Sequence, residues 1–341
     1  MYTDADLDAA VTSGAMTPEA AAALRGVAAN RQATPAADEE SFRLITGFND
    51  VFVTVAIGLV LLAVNQLVPA YFVFGPPLTA AVSWGLAEYF TRRRRMALPS
   101  IVLVISFVPS TIVAAAVLVG TIINETDAGP GWTAGAVTCI ATAAGAAGAY
   151  LHWLRFRVPI SVAAGTLSTA ACAVSALVWA FPSVLPWTAT VILAVGLSVF
   201  AFAMWWDSGD RLRRTGRSDT AFWLHLLASP LIVHPIFLGF GLLSGNAGLP
   251  GALLAVGCYM VLALIALTVD RRAFLVSSLV YVLWAMASLL STVGTIGTAL
   301  PLAALGIGVW LLLLSVFWQR ARRTVLLAVP HGIRDHVPPV A

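Results

Sequence analysis

Long apolar stretches separated by short polar stretches run through most of this chain. Runs of 18 or more mostly apolar residues recur from residue 51 to residue 319. At a rise of about 1.5 Å per residue, a helix of that length spans the roughly 30 Å of hydrocarbon in a bilayer. The pattern predicts an all-α polytopic membrane bundle with ten transmembrane helices, near residues 48–68, 73–91, 98–123, 132–153, 158–181, 187–206, 219–243, 250–269, 273–293 and 298–319.

The overall composition supports this class of protein. Of the 341 residues, 60% are hydrophobic and only 10% are charged. A water-soluble domain carries about 25% charged residues. The chain therefore has too few charged residues to cover a water-exposed surface, and the lipid bilayer is its expected environment.

Among the loops between the predicted spans, only every second one contains arginine. It occurs in segments 91–99, 155–159, 207–219, 270–273 and 318–324, and the intervening loops contain none. Because arginine-rich loops stay in the cytoplasm, all 19 arginines are predicted to lie on that side. An even number of spans then places both termini in the cytoplasm, and the short loops favour tandem antiparallel hairpins. The alanine-rich, lysine-free composition is typical of GC-rich bacterial genomes, which predicts a bacterial inner membrane.

The segment before the first span predicts a small helical head. Residues 1–31 contain two short helical patterns separated by Gly14, and the second begins with Thr17 as N-cap and Pro18 at the first helical position. Residues 32–40 predict a flexible acidic linker. Because two short helices are marginal on their own, we expect the head to dock on the membrane domain, on another copy of the chain or on a partner protein.

The chain is thus predicted to comprise a head and linker (1–40), a ten-helix membrane domain (41–323) and a short cytoplasmic tail (324–341). The head, the segment FRLITGFNDVFVTVAIGL (42–59) and the arginine-turn hairpins together resemble uncharacterised bacterial polytopic inner-membrane proteins. Those proteins have an N-terminal cytoplasmic helical hairpin and a domain of unknown function. The resemblance implies location and topology, and it implies no mechanism or functional residues.

The seventh predicted span differs from the others because it contains His225, His234, Pro230 and Pro235. By helical rise, His225 lies about 8 Å and His234 about 21 Å into the span, on opposite faces of an ideal helix. Proline can kink a helix and free its carbonyls, and such irregular helices often line substrate or proton pathways. These histidines are therefore candidate binding residues. The alternative is that they only form hydrogen bonds across helix interfaces.

Acidic residues near the cytoplasmic ends of spans are the remaining candidates. Asp50 opens the first span and is predicted to cap it, to pair with an arginine of a neighbouring turn, or to act in transport or coupling. Asp219, Asp207 and Asp210, together with His225, form a candidate cytoplasmic cluster. Local pairing is the competing interpretation, because opposite charges four residues apart share one helix face; the pairs are Glu88 with Arg92, Asp207 with Arg211, and Asp210 with Arg214.

Other residues at span ends are predicted to be interfacial. His152 falls at the cytoplasmic end of the fourth span, and tryptophans such as Trp153, Trp206 and Trp318 mark span ends, as in an interfacial aromatic belt. The sequence has no metal-binding, nucleotide-binding or hydrolase motif. We therefore predict no catalytic residue, metal, cofactor or nucleic-acid partner.

Three functions fit these features. The first is a non-enzymatic membrane scaffold or accessory subunit that docks through residues 1–31. The second is a small-molecule transporter or permease that uses span 7 and Asp50. The third is an intramembrane enzyme that acts on a lipid-linked substrate with the cytoplasmic cluster.

Overall fold

The structure, a computed structural model, describes residues 4–33, 48–67, 73–123, 130–210, 213, 215–241, 248–292, 298–334 and 337–338. These residues are helical with short turns and include no strand. The helices are α1 (Asp4–Thr12), α2 (Pro18–Ala33), α3 (Phe48–Leu67), α4 (Gly75–Ala87), α5 (Ala97–Ile123), α6 (Pro130–Phe156), α7 (Pro159–Ala180), α8 (Thr188–Ser208), α9 (Gly216–Gly239), α10 (Gly248–Val269), α11 (Ala273–Thr292), α12 (Ala299–Val316), α13 (Trp318–Ala328) and α14 (His331–Arg334).

Each of the ten predicted spans coincides with one helix, from α3 to α12. Six helices within the described ranges are long and apolar enough to cross a membrane: Asn49–Leu67, Ala97–Ile123, Ala134–Phe156, Pro159–Ala180, Pro182–Ser208 and Gly216–Gly239. The predicted all-helical class is confirmed, whereas ten crossings are not. Helix α4 has only 13 residues before a π-helical turn, Glu88–Arg93. Helices α12 and α13 are long and apolar enough to cross a membrane only when they are taken together, and the pair is bent by 76°.

The chain divides into two compact units, of which the first contains α1 and α2. Gly14 has a left-handed φ of 73° in the turn between these helices. The hydroxyl of Thr17 accepts a hydrogen bond from the amide of Ala20 at 3.2 Å, which caps α2 as predicted. An exposed ion pair joins Arg25 to Asp8 at 2.6 Å. Most of the predicted linker, residues 34–40, lies outside the described residues.

The arginine-rich turns of the second unit share an unusual backbone conformation. Arg95, Arg157, Arg213 and Asp270 have left-handed φ values of 52°, 56°, 51° and 59°. This conformation costs a residue with a side chain about 1–2 kcal/mol, so glycine normally occupies it. The sequence instead keeps a charged side chain at each turn, and two of these side chains pair with each other.

Helix α9 is the most buried of the six membrane-length helices. It packs chiefly on α7, α8 and α11. Its approach to α8 depends on Gly196, since a Cβ atom at that position would lie 2.8 Å from the backbone carbonyl of Leu231. Helix α9, in which the sequence places two histidines and two prolines, is therefore the membrane-length helix most enclosed by protein, where polar groups in a membrane domain are tolerated.

Candidate functional site

A buried ion pair joins the C-terminal end of α8 to the turn between α10 and α11. Arg271 donates from Nη2 to Oδ1 of Asp207 at 2.6 Å and from Nε to Oδ2 at 3.1 Å. The two side chains are only 1% and 2% exposed. Such a bidentate, charge-assisted contact is strong and fixes the relative orientation of both groups. It therefore holds two helix ends together that are 64 residues apart in sequence.

Helix α9 supplies the other members of this cluster. The hydroxyl of Ser218 lies 3.1 Å from Nη2 of Arg271, which donates to it. Nε2 of His225 is 3.4 Å from Oδ2 of Asp207, without hydrogen-bond geometry. The imidazole is fully buried and also lies beside two aromatic rings, with centroids at 5.4 Å for Phe200 and 5.8 Å for Phe274. We call Asp207, Arg271, Ser218 and His225 the Asp207 cluster.

A second buried cluster surrounds Asp270, the last of the left-handed turn residues. Its Oδ1 accepts a hydrogen bond from Nε1 of Trp318 at 2.8 Å, and its Oδ2 lies 3.1 Å from Nη1 of Arg213. Nε of Arg322 lies 3.6 Å from Oδ1, while its Nη2 donates to the carbonyl of Pro338 at 2.5 Å. We call Asp270, Arg213, Trp318 and Arg322 the Asp270 cluster. The sequence predicts Trp318 at a span end in an interfacial belt; in the structure its side chain is buried, because α13 places the indole against this carboxylate.

The predicted cytoplasmic residues are brought together only in part. The structure places Asp207 beside His225, but Asp210 instead accepts hydrogen bonds from the amide and hydroxyl of Thr215, at 2.7 and 2.6 Å. Asp210 thereby closes the turn between α8 and α9. Asp219 is half-buried in the first turn of α9.

The predicted local ion pairs have mixed outcomes. Glu88 pairs with Arg92 at 3.3 Å as expected, and it also binds Arg155 of α6 at 2.7 Å. Arg211 and Arg214, the expected local partners of two aspartates, lie outside the described residues. The described partner of Asp207 is Arg271, which comes from a distant turn.

The three candidate binding residues do not form one site. His234 is exposed, and its Nδ1 lies 2.8 Å from the hydroxyl of Tyr281 on α11. Helix α9 continues through both of its prolines without a break. Asp50 is buried at the start of α3, and its backbone carbonyl accepts a hydrogen bond from Thr54 at 2.6 Å. Because α3 packs chiefly on α4 and α5, Asp50 belongs to a different group of helices from the histidines of α9.

The sequence predicts an interfacial position for His152, and the structure buries its side chain fully within the protein. Its Nδ1 lies 2.8 Å from the hydroxyl of Ser161 on α7. The rings of Trp84, Phe107 and Phe156 cover it, with centroids 4.5 to 5.9 Å away. The position of His152 near the end of a span gave no sign of the rings of Trp84 and Phe107, which come from α4 and α5.

A groove of 580 Å³, which was not predicted from the sequence, lies between α6 and α8, with α7 as its floor. Small residues of α7 recur there every fourth position, as Ser161, Gly165, Thr169 and Ala173. That spacing, which leaves room beside a membrane helix, was the signal available in the sequence. The rest of the lining is Ala146, Ala149, Tyr150, Trp153, Val162, Thr166, Ala170, Val195, Ser198, Val199, Phe202 and Trp206.

Comparison with known proteins identifies no relative that would assign a role to these features. Within the described residues, no three His, Cys, Asp or Glu side chains are grouped so that they could hold a metal ion. The chain has no significant match to any family model, curated protein or solved structure.

Proposed function

We propose that this protein is a non-enzymatic scaffold or accessory subunit of the bacterial inner membrane, with ten spans and both termini in the cytoplasm. The observation that carries the proposal is the pair of buried clusters around Asp207 and Asp270. Together they connect α8, α9, the turn between α10 and α11, and α13 at one end of the bundle. That end carries the arginine-rich turns, which favours its placement in the cytoplasm.

Buried ion pairs suit a rigid protein better than a moving one. Removing one partner of such a pair costs about 3–5 kcal/mol, because the remaining charge stays buried without compensation. A helix movement that separated Asp207 from Arg271 would also leave buried charges without compensation, so it would be opposed by a similar free-energy cost. The clusters therefore support a bundle whose cytoplasmic end keeps one arrangement while a partner binds it.

The helical head supplies a surface on which a partner can dock. Helices α1 and α2 have 9 and 16 residues, and Ala21 is the buried apolar residue of the described part of this hairpin. Leu24, by contrast, is 46% exposed. An apolar side chain left outside so small a unit is consistent with contact to a further protein or a second copy through residues 1–31.

Native mass spectrometry of the gently extracted protein at natural expression level tests the scaffold role. We expect a stoichiometric protein partner, or a second copy, that is lost when residues 1–31 are deleted and retained in the His234→Ala variant. A single chain that instead carries a small molecule, lost in His234→Ala, would replace the scaffold with a transporter.

One observation favours the transporter as the second candidate. The hydrogen-bonded pair of His234 and Tyr281 places two polar groups on adjoining faces of α9 and α11, outside both buried clusters. Polar groups within membrane helices frequently mark a substrate pathway. An enzyme acting on a lipid-linked substrate is less well supported, since Arg271 occupies both carboxylate oxygens of Asp207.

Cysteine labelling tests the proposed topology. In a cysteine-free variant, single cysteines at positions 127 and 184 are expected to react with a membrane-impermeant maleimide in spheroplasts. Cysteines at positions 94 and 215 are expected to react only after lysis. Labelling of positions 94 and 215 in intact spheroplasts would contradict the proposed orientation.

A further inference from the structure

The groove over α7 has walls that behave as apolar although several of its residues carry hydroxyl groups. Thr166 and Thr169 donate to carbonyls of their own helix at 2.9 and 2.8 Å, and Ser198 does so at 2.8 Å. Ser161 is engaged by His152 at 2.8 Å. Since these hydroxyls already have partners, the groove presents mainly carbon atoms, and a hydrocarbon chain suits it better than a polar solute.

The size of the groove also favours a chain-like occupant. Its 580 Å³ lies within the usual range of about 300–1,000 Å³ for small-ligand sites. A transmembrane helix is about 10 Å wide and about 30 Å long, so its volume is several times larger. A helix could therefore only lie over the groove, whereas an acyl chain can enter it between α6 and α8.

At one end of the groove, two arginine side chains lie against aromatic rings of the lining. Helices α6 and α8 end there, and the lining includes Trp153 and Trp206 from their last turns. The guanidinium of Arg157 lies 4.3 Å from the ring centroid of Trp153, and that of Arg217 lies 5.1 Å from a ring centroid of Trp206. Both arginines are exposed, and neither has a carboxylate partner in the part of the chain that the structure describes.

We propose that the groove binds one phospholipid with an anionic headgroup. One acyl chain lies along the small residues of α7, and Arg157 and Arg217 bind the phosphate-containing headgroup. The tryptophans hold the two guanidinium groups at the groove by cation–π contact, and their remaining N–H groups are available to phosphate oxygens. This site requires the membrane location of the protein but not its scaffold function.

Native mass spectrometry of the full chain in dodecylmaltoside tests the proposal with two lipids that share their acyl chains. Dioleoyl phosphatidylglycerol is anionic, and dioleoyl phosphatidylcholine has a neutral headgroup. We expect one phosphatidylglycerol to bind with a Kd about 30-fold lower than that of phosphatidylcholine, from two arginines near an anionic group. Equal affinity for the two lipids would overturn the headgroup assignment.

Two variants with matched controls separate the headgroup from the chain. Arg157→Gln/Arg217→Gln is expected to abolish the preference for phosphatidylglycerol. The control Arg93→Gln/Arg95→Gln removes the same charge at another turn, with Arg95 in the same left-handed conformation, and is expected to retain the preference. If both double variants lost the preference for phosphatidylglycerol equally, general surface charge would explain the preference, and the proposed headgroup site would be wrong.

Ala173→Phe fills the groove and is expected to lower the affinity of the protein for both lipids at least tenfold. Ala201→Phe places the same ring on an exposed position of α8 outside the groove and is expected to change neither affinity. Unchanged lipid binding in Ala173→Phe would overturn the proposal. If that variant instead dissociated a dimer, the groove would belong to a second copy of the chain. The exposed arginine variants test the site independently, should the larger ring disturb folding.

Discussion

The first half of the membrane domain (α3 to α7) and the second half (α8 to α13) have similar arginine-rich turns, but the charged side chains of these turns are buried to different extents. In the first half, Glu88 and Arg155 pair at 2.7 Å with side chains that remain 33% and 41% exposed. In the second half, Asp207 and Arg271 pair at 2.6 Å with 2% and 1% exposed. The first half buries a neutral hydrogen bond instead, between His152 and Ser161. The same local sequence feature thus produces a surface contact in one half and an internal connection in the other.

The difference comes from the helices that cover each turn. The ion pair in the first half connects the end of α4 to the end of α6 at the surface. In the second half, α9 and α11 pack around Asp207, and α13 covers Asp270 with its indole. Because the energy of an ion pair depends on its burial, the two halves should respond differently to loss of a charge.

The largest expected effect is that of Arg271→Ala. This change leaves the carboxylate of Asp207 buried without its bidentate partner, so we expect a loss of about 3–5 kcal/mol in the free energy of unfolding. The measurement is unfolding in dodecylmaltoside by titration with SDS. In Asp207→Leu/Arg271→Met no charge remains, and we expect most of the stability to return. Equal losses in the single and double variants would show that packing, and not charge, holds this end together.

Trp318→Phe tests the Asp270 cluster and should have a smaller effect. The variant retains the ring but removes the N–H group that donates to Asp270 at 2.8 Å. A hydrogen bond to a charged group contributes about 1.5–3 kcal/mol, and the same SDS titration measures the loss. The control is Trp310→Phe, at a 42% exposed tryptophan of α12, where we expect little change. Similar losses in both variants would contradict a specific role for the indole N–H.

These clusters also show how far the sequence could predict the structure. Apolar length located every helix from α3 to α12. The prolines of the seventh span suggested an irregular helix, whereas α9 continues through both of them. Long-range partner choice was not predictable, since Asp207 had arginines nearby in sequence and yet pairs with Arg271, 64 residues away. The two groups meet where α9 packs against α8 and α11, which local sequence does not specify.

The candidate site was predictable to the same limited extent. His225 and Asp207 were both singled out from the sequence, and the structure brings them within 3.4 Å. The burial of His152 was missed. Phe156 lies four residues later on the same helix, but Trp84 and Phe107 come from α4 and α5, and no local pattern reports contacts between separate helices. The groove was missed because the spacing of small residues on α7 is also common in closely packed membrane helices.

Ser161→Ala measures the buried neutral contact of the first half. The change leaves Nδ1 of His152 without its partner in the interior, and we expect a loss of about 1–2 kcal/mol in the free energy of unfolding. Ser168→Ala on the same helix is the matched control, since that hydroxyl only bonds to the carbonyl of Ala164 at 2.9 Å. If SDS titration gave equal values for the two variants, the contact between His152 and Ser161 would contribute nothing specific.

The smallest expected effect is that of Glu88→Gln. Its dependence on salt concentration distinguishes the exposed ion pairs of the first half from the buried pair of the second half. The carboxylate of Glu88 faces two arginines, Arg155 at 2.7 Å and Arg92 at 3.3 Å, but all three side chains are partly exposed to water. Exposed ion pairs contribute little and are screened, since the Debye length falls from about 10 Å at 0.1 M salt to about 3 Å at 1 M. We therefore expect a small shift in the SDS midpoint at low salt that vanishes at 1 M sodium chloride. The loss caused by Arg271→Ala should persist at both salt concentrations, because a buried pair is screened much less. If both losses vanished at high salt, the Asp207 cluster would be open to solvent, and the proposed difference between the two halves would be wrong.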